Sequence, residues 1–238
     1  MAKQEINHKG IKMATNNSYT KAEIRFKKYI DALRRELHNS YWHFIIYKYI
    51  EKCRVDYQNE LQVAGEFWGL TQRAHLLDTI MRLNKICDND PETINIHTLL
   101  DLAENNLDIF TGKPFYARKQ NSYYPSNQNV PEITEELLLE HKQRYSDFSQ
   151  TNLRKLRNRV LAHIDKGLVM TDFLPFEGYK VDIDQIETII NDLDNTLDLL
   201  SIAFDGSKYS REVPFLEQGM NVMMELMRKG LIERERLD

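Results

Sequence analysis

The chain has few of the residues that interrupt helices. Its 238 residues include nine glycines and six prolines, and no proline occurs before Pro91. Glycine and proline destabilise helix interiors more than any other residue type. Their scarcity therefore predicts an all-α fold built as a helical bundle.

Cysteine is also scarce, and cationic charge does not dominate. The two cysteines, Cys53 and Cys87, form no CxxC pair, so we expect neither a disulfide framework nor a structural zinc site. The net charge of -4 and the isoelectric point of about 6.0 argue against broad, non-specific wrapping of nucleic acid, although a local basic patch is compatible with them.

Long apolar runs are absent as well. No segment approaches the roughly 18 apolar residues of a membrane span, and residues 1–19 lack the apolar centre of a signal peptide. Together with the cysteine usage, this predicts a cytoplasmic protein that does not use a membrane.

The sequence pattern divides the chain into three parts. Residues 1–18 are predicted to form a flexible N-terminal arm, residues 19–205 a helical bundle, and residues 206–238 a methionine-rich C-terminal helix. That last helix packs either on the bundle or against a partner subunit. Within the bundle, the capping-box pattern Thr20-x-x-Glu23 predicts the start of a first helix, which either ends at about His38 or continues with a bend into 41–57. Further helices are predicted over about 61–87, 94–105, 132–145, 151–164 and from 182 onward.

Two segments do not fit the helical pattern. Residues 111–131 form a polar loop rich in Tyr, Asn and Ser, which is long for a compact domain and is either a binding loop or a mobile insertion. Residues 166–181 are the only strand-like part, and either a small β-hairpin or a plain loop accounts for them.

The segment LRNRVLAH, residues 156–163, combines residue types suited to cleaving RNA without a metal. Arginine ends in a planar, positively charged guanidinium group whose N–H donors match the oxygens of a phosphate. Histidine can accept or donate a proton near neutral pH. Six residues of α-helix turn through about 600°, which places Arg157 and His163 roughly 120° apart on the helix surface. Arg159, four residues before His163, lies on nearly the same face as the histidine and is an alternative phosphate-binding residue.

This segment resembles the signature of the HEPN superfamily, an arginine usually followed by a polar residue with a histidine four to six positions on. Those proteins are compact helical bundles, and many are metal-independent RNases of defence and toxin–antitoxin systems. The sequence NRVLAHID at 158–165 is most similar to the abortive-infection AbiU-like branch, as are FWGL at 67–70 and DTIMRL at 78–83 followed by Asp88. The resemblance extends over about residues 19–200.

The resemblance implies a mechanism and an assembly. The 2′-hydroxyl of the RNA attacks the adjacent phosphorus, with His163 as general base or acid, Arg157 holding the scissile phosphate, and Asn158 orienting the ribose or the histidine. Two protomers pair their motif helices and form one composite cleft at the two-fold axis. The resemblance implies neither a metal nor a cofactor, and an antitoxin or a nucleotidyltransferase-like protein is a candidate partner.

A non-catalytic interpretation is also open. In this interpretation the predicted helix presents a solvated basic face made of Arg154, Lys155, Arg157 and Arg159, and His163 is a histidine of the core. The superfamily includes members that lack nuclease activity. The alternative function is a helical interaction module that binds a protein or nucleotide partner.

A polar stripe crosses the third predicted helix. Thr71, His75, Asp78 and Arg82 are spaced at i, i+4, i+7 and i+11 and so share one face. The simpler interpretation is an Asp78–Arg82 ion pair on a half-exposed surface. The functional interpretation places the stripe on the wall of the cleft, with Asp78 or His75 near His163, in support of catalysis.

The loop at 111–131 mixes aromatic and cationic residues. Single-stranded RNA is bound by such a combination of stacking and charge, so Arg118, Lys119, Tyr123 and Tyr124 are candidate RNA contacts. The histidines show no metal-ligand spacing with carboxylates, HExxH is absent, and no glycine-rich phosphate loop occurs. We therefore predict no metal site and no cofactor.

Overall fold

The structure, a computed structural model, describes residues 19–112, 115–116, 118, 130–146, 182–213 and 215–236. Seven α-helices are complete in these residues, with a 3₁₀ turn at Leu107–Phe110: α1 (Lys21–Asp56), α2 (Gln58–Gln62), α3 (Gly65–Ile86), α4 (Ile96–Glu104), α5 (Glu135–Ser146), α6 (Ile183–Asp205) and α7 (Leu216–Glu235). No strand occurs among them, and the predicted all-α class is confirmed. The predicted arm, the predicted helix at 151–164 and the strand-like residues 166–181 lie outside the described residues.

Helix α1 is a single element of 36 residues. It begins with the predicted capping box: the Thr20 hydroxyl accepts from the Glu23 amide, and the Glu23 carboxylate accepts from the Thr20 amide. Neither glycine nor proline occurs between residues 21 and 56, so the helix continues through His38, where the pattern had left a bend open. At about 1.5 Å per residue, α1 is roughly 54 Å long and can contact most of the other helices.

The prediction of a single helix over 61–87 is wrong at its start. The backbone of Ala64 leaves the helical region, with φ -137° and ψ 51°, and this separates the short α2 from α3. The glycine that follows, Gly65, is the first residue of α3. The chain therefore turns between the end of α1 and the start of α3, and α3 packs back along α1.

The main core lies around α1. Phe26 is fully buried and contacts two other rings, Phe110 edge-on at 5.3 Å between centroids and Phe204 of α6 at 4.9 Å. Pairs of this geometry add about 0.5–1.5 kcal/mol to the burial of their surface. Leucine and isoleucine side chains from α1, α3, α4 and α6 fill the rest of this core, among them Ile30, Leu33, Leu37, Ile80, Leu83, Ile86, Ile96, Leu99, Ile190, Leu193, Leu197 and Leu200.

The C-terminal helix covers the end of α1 with its methionines. Met224 is fully buried in a second cluster with Tyr49, Cys53 and Leu61, and Met220 and Met227 pack against it. Polar contacts fix the helix further: Tyr57 donates to Glu225 at 2.9 Å, and Arg228 pairs with Glu60 at 2.7 Å. In this structure these methionine side chains therefore pack against other residues of the same chain.

Helix α6 ends at Gly206, whose φ of 73° lies in the left-handed region that glycine adopts without strain. The chain then passes beside α1 before α7 begins: Tyr209 contacts Lys27 and Arg34, and the Arg211 guanidinium lies over the Tyr41 ring. Among the described helices none combines the length and the apolar character that a membrane crossing requires.

The position of Phe26 predicts a large stability effect. Phe26→Ala removes a fully buried ring and is expected to lower the free energy of unfolding by about 3–5 kcal/mol in urea denaturation. The control is Ile24→Ala on the same helix, where the side chain is 45% exposed and the change is expected to stay within about 0.5 kcal/mol. Equal effects of the two substitutions would contradict the assigned core.

Candidate active site

Two histidines and an aspartate meet where α1 faces α3. The Nδ1 atoms of His43 and His75 are 2.9 Å apart, and the Nε2 atom of His43 lies 3.3 Å from the Asp78 Oδ2 atom. His43 belongs to α1, whereas His75 and Asp78 belong to α3. We refer to these three residues as the histidine cluster.

Small polar residues bring the two helices close enough for this contact. The Ser40 hydroxyl donates to the Thr79 carbonyl at 3.3 Å, and the Thr79 hydroxyl lies 3.4 Å from the Ser40 carbonyl. Both residues are fully buried. Because larger side chains at these positions would separate the helices, Ser40 and Thr79 set the distance at which the histidine cluster forms.

The contacts define which nitrogen of each ring carries the proton. A carboxylate next to the Nε2 atom of His43 favours the proton on that nitrogen, which leaves the Nδ1 atom of His43 as an acceptor. The Nδ1 atom of His75 then donates to it. The Nε2 atom of His75 is left with a lone pair and has no hydrogen-bond partner among the described residues. A free imidazole lone pair at the end of such a chain is a candidate general base.

The surroundings keep His75 neutral. Burial lowers the pKa of His75 below its ordinary value, and the neighbouring His43 acts in the same direction, against the smaller opposing effect of Asp78. A neutral imidazole is the form that accepts a proton near pH 7.

The Asp78 oxygen that faces His43 also takes part in an ion-pair network. Arg82 donates through its Nε atom to the Asp78 Oδ2 atom at 2.5 Å and pairs through its Nη1 atom with Glu36 at 2.7 Å. Lys85 also bonds to Glu36, at 2.8 Å, and this hydrogen bond is the largest of the effects that hold the pKa of Glu36 below its usual value, against the effect of partial burial. The Asp78–Arg82 ion pair expected of the polar stripe is present, as part of a network that spans both helices.

Sequence reasoning found His75, Asp78 and Arg82 but missed their partners on α1. Glu36, Ser40 and His43 are spaced at i, i+4 and i+7, so they lie on one face of a helix whose other buried positions are mostly apolar. That spacing was the available signal. It does not by itself show which helix the face meets.

The predicted catalytic residues Arg157, Asn158 and His163 lie outside the described residues, as does the alternative phosphate ligand Arg159. The candidate RNA contacts Lys119, Tyr123 and Tyr124 also lie outside them. Within the part of the chain that is described, no group of three His, Cys, Asp or Glu side chains is arranged to hold a metal ion.

Arg118 is described, and its position requires a correction. It is 3% exposed, pairs with Glu23, and donates to the carbonyl groups of Phe204 and Ile109. Its guanidinium also lies over the Phe204 ring, 4.2 Å from the centroid. Because Arg118 is buried with partners from α1 and α6, it does not belong among the RNA contacts.

The fold and the sequence pattern are those of a HEPN-type helical bundle. A family model described as AbiU2, of the HEPN group, matches residues 23–220. The chain therefore belongs to the HEPN AbiU2 family. The match includes the histidine cluster and the segment from Arg157 to His163. No curated protein and no solved structure matches the chain.

The lowered pKa of His75 predicts a specific pH dependence of stability. An unfolded histidine titrates near about 6.5, and the folded protein takes up this proton only at lower pH. The unfolded state therefore binds more protons as the pH falls through this range, and the stability of the fold decreases. His75→Gln removes this contribution, so its urea midpoint is expected to fall less than that of the wild type between about pH 7.5 and about pH 5.5.

His141, whose pKa is also lowered by burial, is present in both proteins and cancels in this comparison. An identical pH dependence in the two proteins would show that His75 is not held neutral by the fold.

Proposed function

We propose that this protein is a metal-independent endoribonuclease that acts as an effector of a bacterial defence or toxin–antitoxin system. The observation that carries the proposal is the family match over residues 23–220, which contains the Arg157-Asn158…His163 motif. The proposed site of action is the cytoplasm.

The reaction is a transesterification within the RNA. The 2′-oxygen of one ribose bonds to the adjacent phosphorus, and the bond from phosphorus to the 5′-oxygen of the next nucleotide breaks. A general base takes the 2′-hydroxyl proton, and a general acid gives a proton to the departing 5′-oxygen. We assign proton transfer to His163, charge stabilisation on the phosphorane-like transition state to Arg157, and orientation of the ribose or of His163 to Asn158. Arg159 is the alternative phosphate ligand.

The histidine cluster supports this proposal because the reaction needs two proton transfers. The His75 imidazole has a lone pair without a protein partner among the described residues, and His43 and Asp78 fix its tautomer. We propose that this face forms part of the cleft wall, with His75 as a second proton-transfer group. Arg82 would act as a positioning residue through Asp78.

The proposed assembly is a homodimer. The family resemblance implies that two protomers pair their motif helices around one composite cleft. The angle of about 120° between Arg157 and His163 on an ideal helix is compatible with this, because each residue can then face the partner protomer's motif. Within each protomer we propose residues 1–18 as an arm, residues 19–205 as the bundle and residues 206–238 as an appended helical segment. RNA is the proposed substrate, Lys119, Tyr123 and Tyr124 are proposed RNA contacts, and an antitoxin or a nucleotidyltransferase-like protein is the proposed protein partner.

Cleavage of total RNA in EDTA tests the proposal. Purified wild-type protein is expected to cleave RNA. His163→Ala, which removes a general acid or base, and Arg157→Ala, which removes charge stabilisation of the transition state, are each expected to lose at least about 100-fold in rate. Both variants should retain the far-ultraviolet circular dichroism and the oligomeric state of the wild type. The matched control is His8→Ala, which lies outside the family match and should cleave at the wild-type rate.

The outcomes separate the two candidate functions. Cleavage by His163→Ala at the wild-type rate would exclude the mechanism. No cleavage by the wild type, together with unfolding of His163→Ala, is the result expected of a non-catalytic interaction module. In the same assay His75→Gln is expected to reduce the rate at intact fold, and an unchanged rate would remove the histidine cluster from the site.

A further inference from the structure

A pocket lies at the junction of α1, α2 and α3, and its lining includes no residue of the histidine cluster. The helical path is interrupted at Ala64, and the pocket lies where α2 and the start of α3 meet the end of α1. Its volume is about 270 Å³. Typical small-molecule sites occupy roughly 300–1,000 Å³. The pocket is therefore of a size to hold one amino-acid side chain with its peptide group.

Part of the lining is apolar and carries a buried donor that lacks an acceptor. Ile50 of α1, Leu61 of α2 and Trp68 of α3 form this part. The Nε1 atom of Trp68 is buried, and it has no hydrogen-bond partner among the described residues. A buried indole N–H group normally bonds to an acceptor. The Trp68 side chain therefore indicates that an acceptor oxygen of a bound molecule completes the pocket.

Two glycines of α3 keep another part of the pocket open. Gly65 and Gly69 are one helical turn apart, and both line the pocket. A Cβ atom at either position would meet nothing within 4 Å, so packing inside the chain does not require glycine there. Glycine is less favourable than alanine in a helix, but it allows the backbone of another molecule to approach closely. The open space beside Gly65 and Gly69 suits such an approach.

The polar groups of the pocket favour a neutral ligand. Arg54 is already paired, with Glu51 at 3.2 Å and with the Gln72 side chain at 2.6 Å. Gln58 and Gln62 line the pocket, and their side chains have no hydrogen-bond partner among the described residues. An amide side chain offers donors and an acceptor, which matches the N–H and C=O groups of a peptide backbone. The lining is therefore complementary to main-chain peptide groups.

Exposed apolar side chains adjoin the pocket. Phe67 and Leu70 of α3 are 60% and 63% exposed, and Val63, just before α3, is 58% exposed. The Phe67 ring packs edge-on against the Trp68 ring of the pocket, with 5.3 Å between the centroids. Grouped apolar residues at a surface mark sites of interaction with other molecules. A ligand that covers them as well as the pocket is longer than one residue, which favours a polypeptide over an isolated small molecule.

We propose that this pocket binds a peptide segment of a partner protein, with one aliphatic side chain of the segment inserted beside the Trp68 ring. A carbonyl oxygen of the segment accepts from the Trp68 indole, and the two glutamines bond to neighbouring peptide groups. The main chain of the segment passes over Gly65 and Gly69. None of these residues belongs to the Arg157–His163 motif or to the histidine cluster, so the site is additional to the proposed nuclease site and does not depend on it.

The indole N–H signal of Trp68 in nuclear magnetic resonance spectra of the ¹⁵N-labelled full chain tests the proposal. The chain has two tryptophans, and Trp42→Phe identifies the signal of Trp68. The probe is N-acetyl-leucinamide, which carries peptide groups and one aliphatic side chain. It is expected to bind saturably and to shift the Trp68 indole proton downfield, because the N–H group gains an acceptor. N-acetyl-glycinamide lacks the side chain and is expected to bind at least about tenfold more weakly.

Paired glycine substitutions test the geometry of the pocket. Gly65→Ala combined with Gly69→Ala places two methyl groups in the space that the segment needs, and is expected to weaken binding of N-acetyl-leucinamide at least about tenfold. The matched control is Gly219→Ala with Gly230→Ala on α7, where a Cβ atom also meets nothing within 4 Å. Both double variants should unfold at the urea midpoint of the wild type or above it, because alanine favours a helix more than glycine does. Only the first should lose binding.

Four results would overturn the proposal: no saturable shift of the Trp68 signal, equal affinity for the two probes, wild-type binding by the first double variant, and an equal loss of binding in both double variants. Free leucine is a third probe. Tighter binding of free leucine than of N-acetyl-leucinamide would assign the pocket to a free amino acid instead of a partner's peptide segment. Because binding is measured without RNA, its failure is separate from a failure of the proposed nuclease activity.

Discussion

The close packing of α1 against α3 is the constraint on which the candidate site depends. Ser40 and Thr79 exchange side-chain contacts with each other's backbone inside this interface, and small residues there allow the helices to approach. The approach places His43 within 2.9 Å of His75 and next to Asp78. A wider separation would leave three unrelated polar side chains on two helices, with no fixed tautomer and no oriented lone pair.

Successive parts of α1 make different kinds of contact with the rest of the protein. Near its start, Phe26 anchors the apolar core, and Arg34 is held by two aspartates from α6. Near its middle, Glu36 and His43 face α3. Toward its end, Tyr49 and Cys53 receive the methionines of α7. The charged side chains Arg34 and Glu36 of α1, which face α6 and α3, are each paired with an opposite charge from the facing helix.

The sequence predicts local features better than it predicts pairings between distant elements. The Thr20 capping box and the polar stripe through His75, Asp78 and Arg82 follow from spacing alone, because both are set within two or three helical turns. The break at Ala64 was missed because no proline marks it. His43 and the burial of Arg118 were missed because each depends on contacts between residues far apart in the chain. Periodicity does not define those contacts.

The chemical nature of the RNA ends tests the central claim most directly. Attack by a 2′-hydroxyl leaves a 2′,3′-cyclic phosphate, or the 3′-phosphate from its hydrolysis, on one fragment and a 5′-hydroxyl on the other. The account predicts these ends for RNA cleaved by the wild-type protein in EDTA, and their absence with His163→Ala. Fragments with 5′-phosphate and 3′-hydroxyl ends would show that water attacks the phosphorus, and would contradict the assignment of His163 and Arg157.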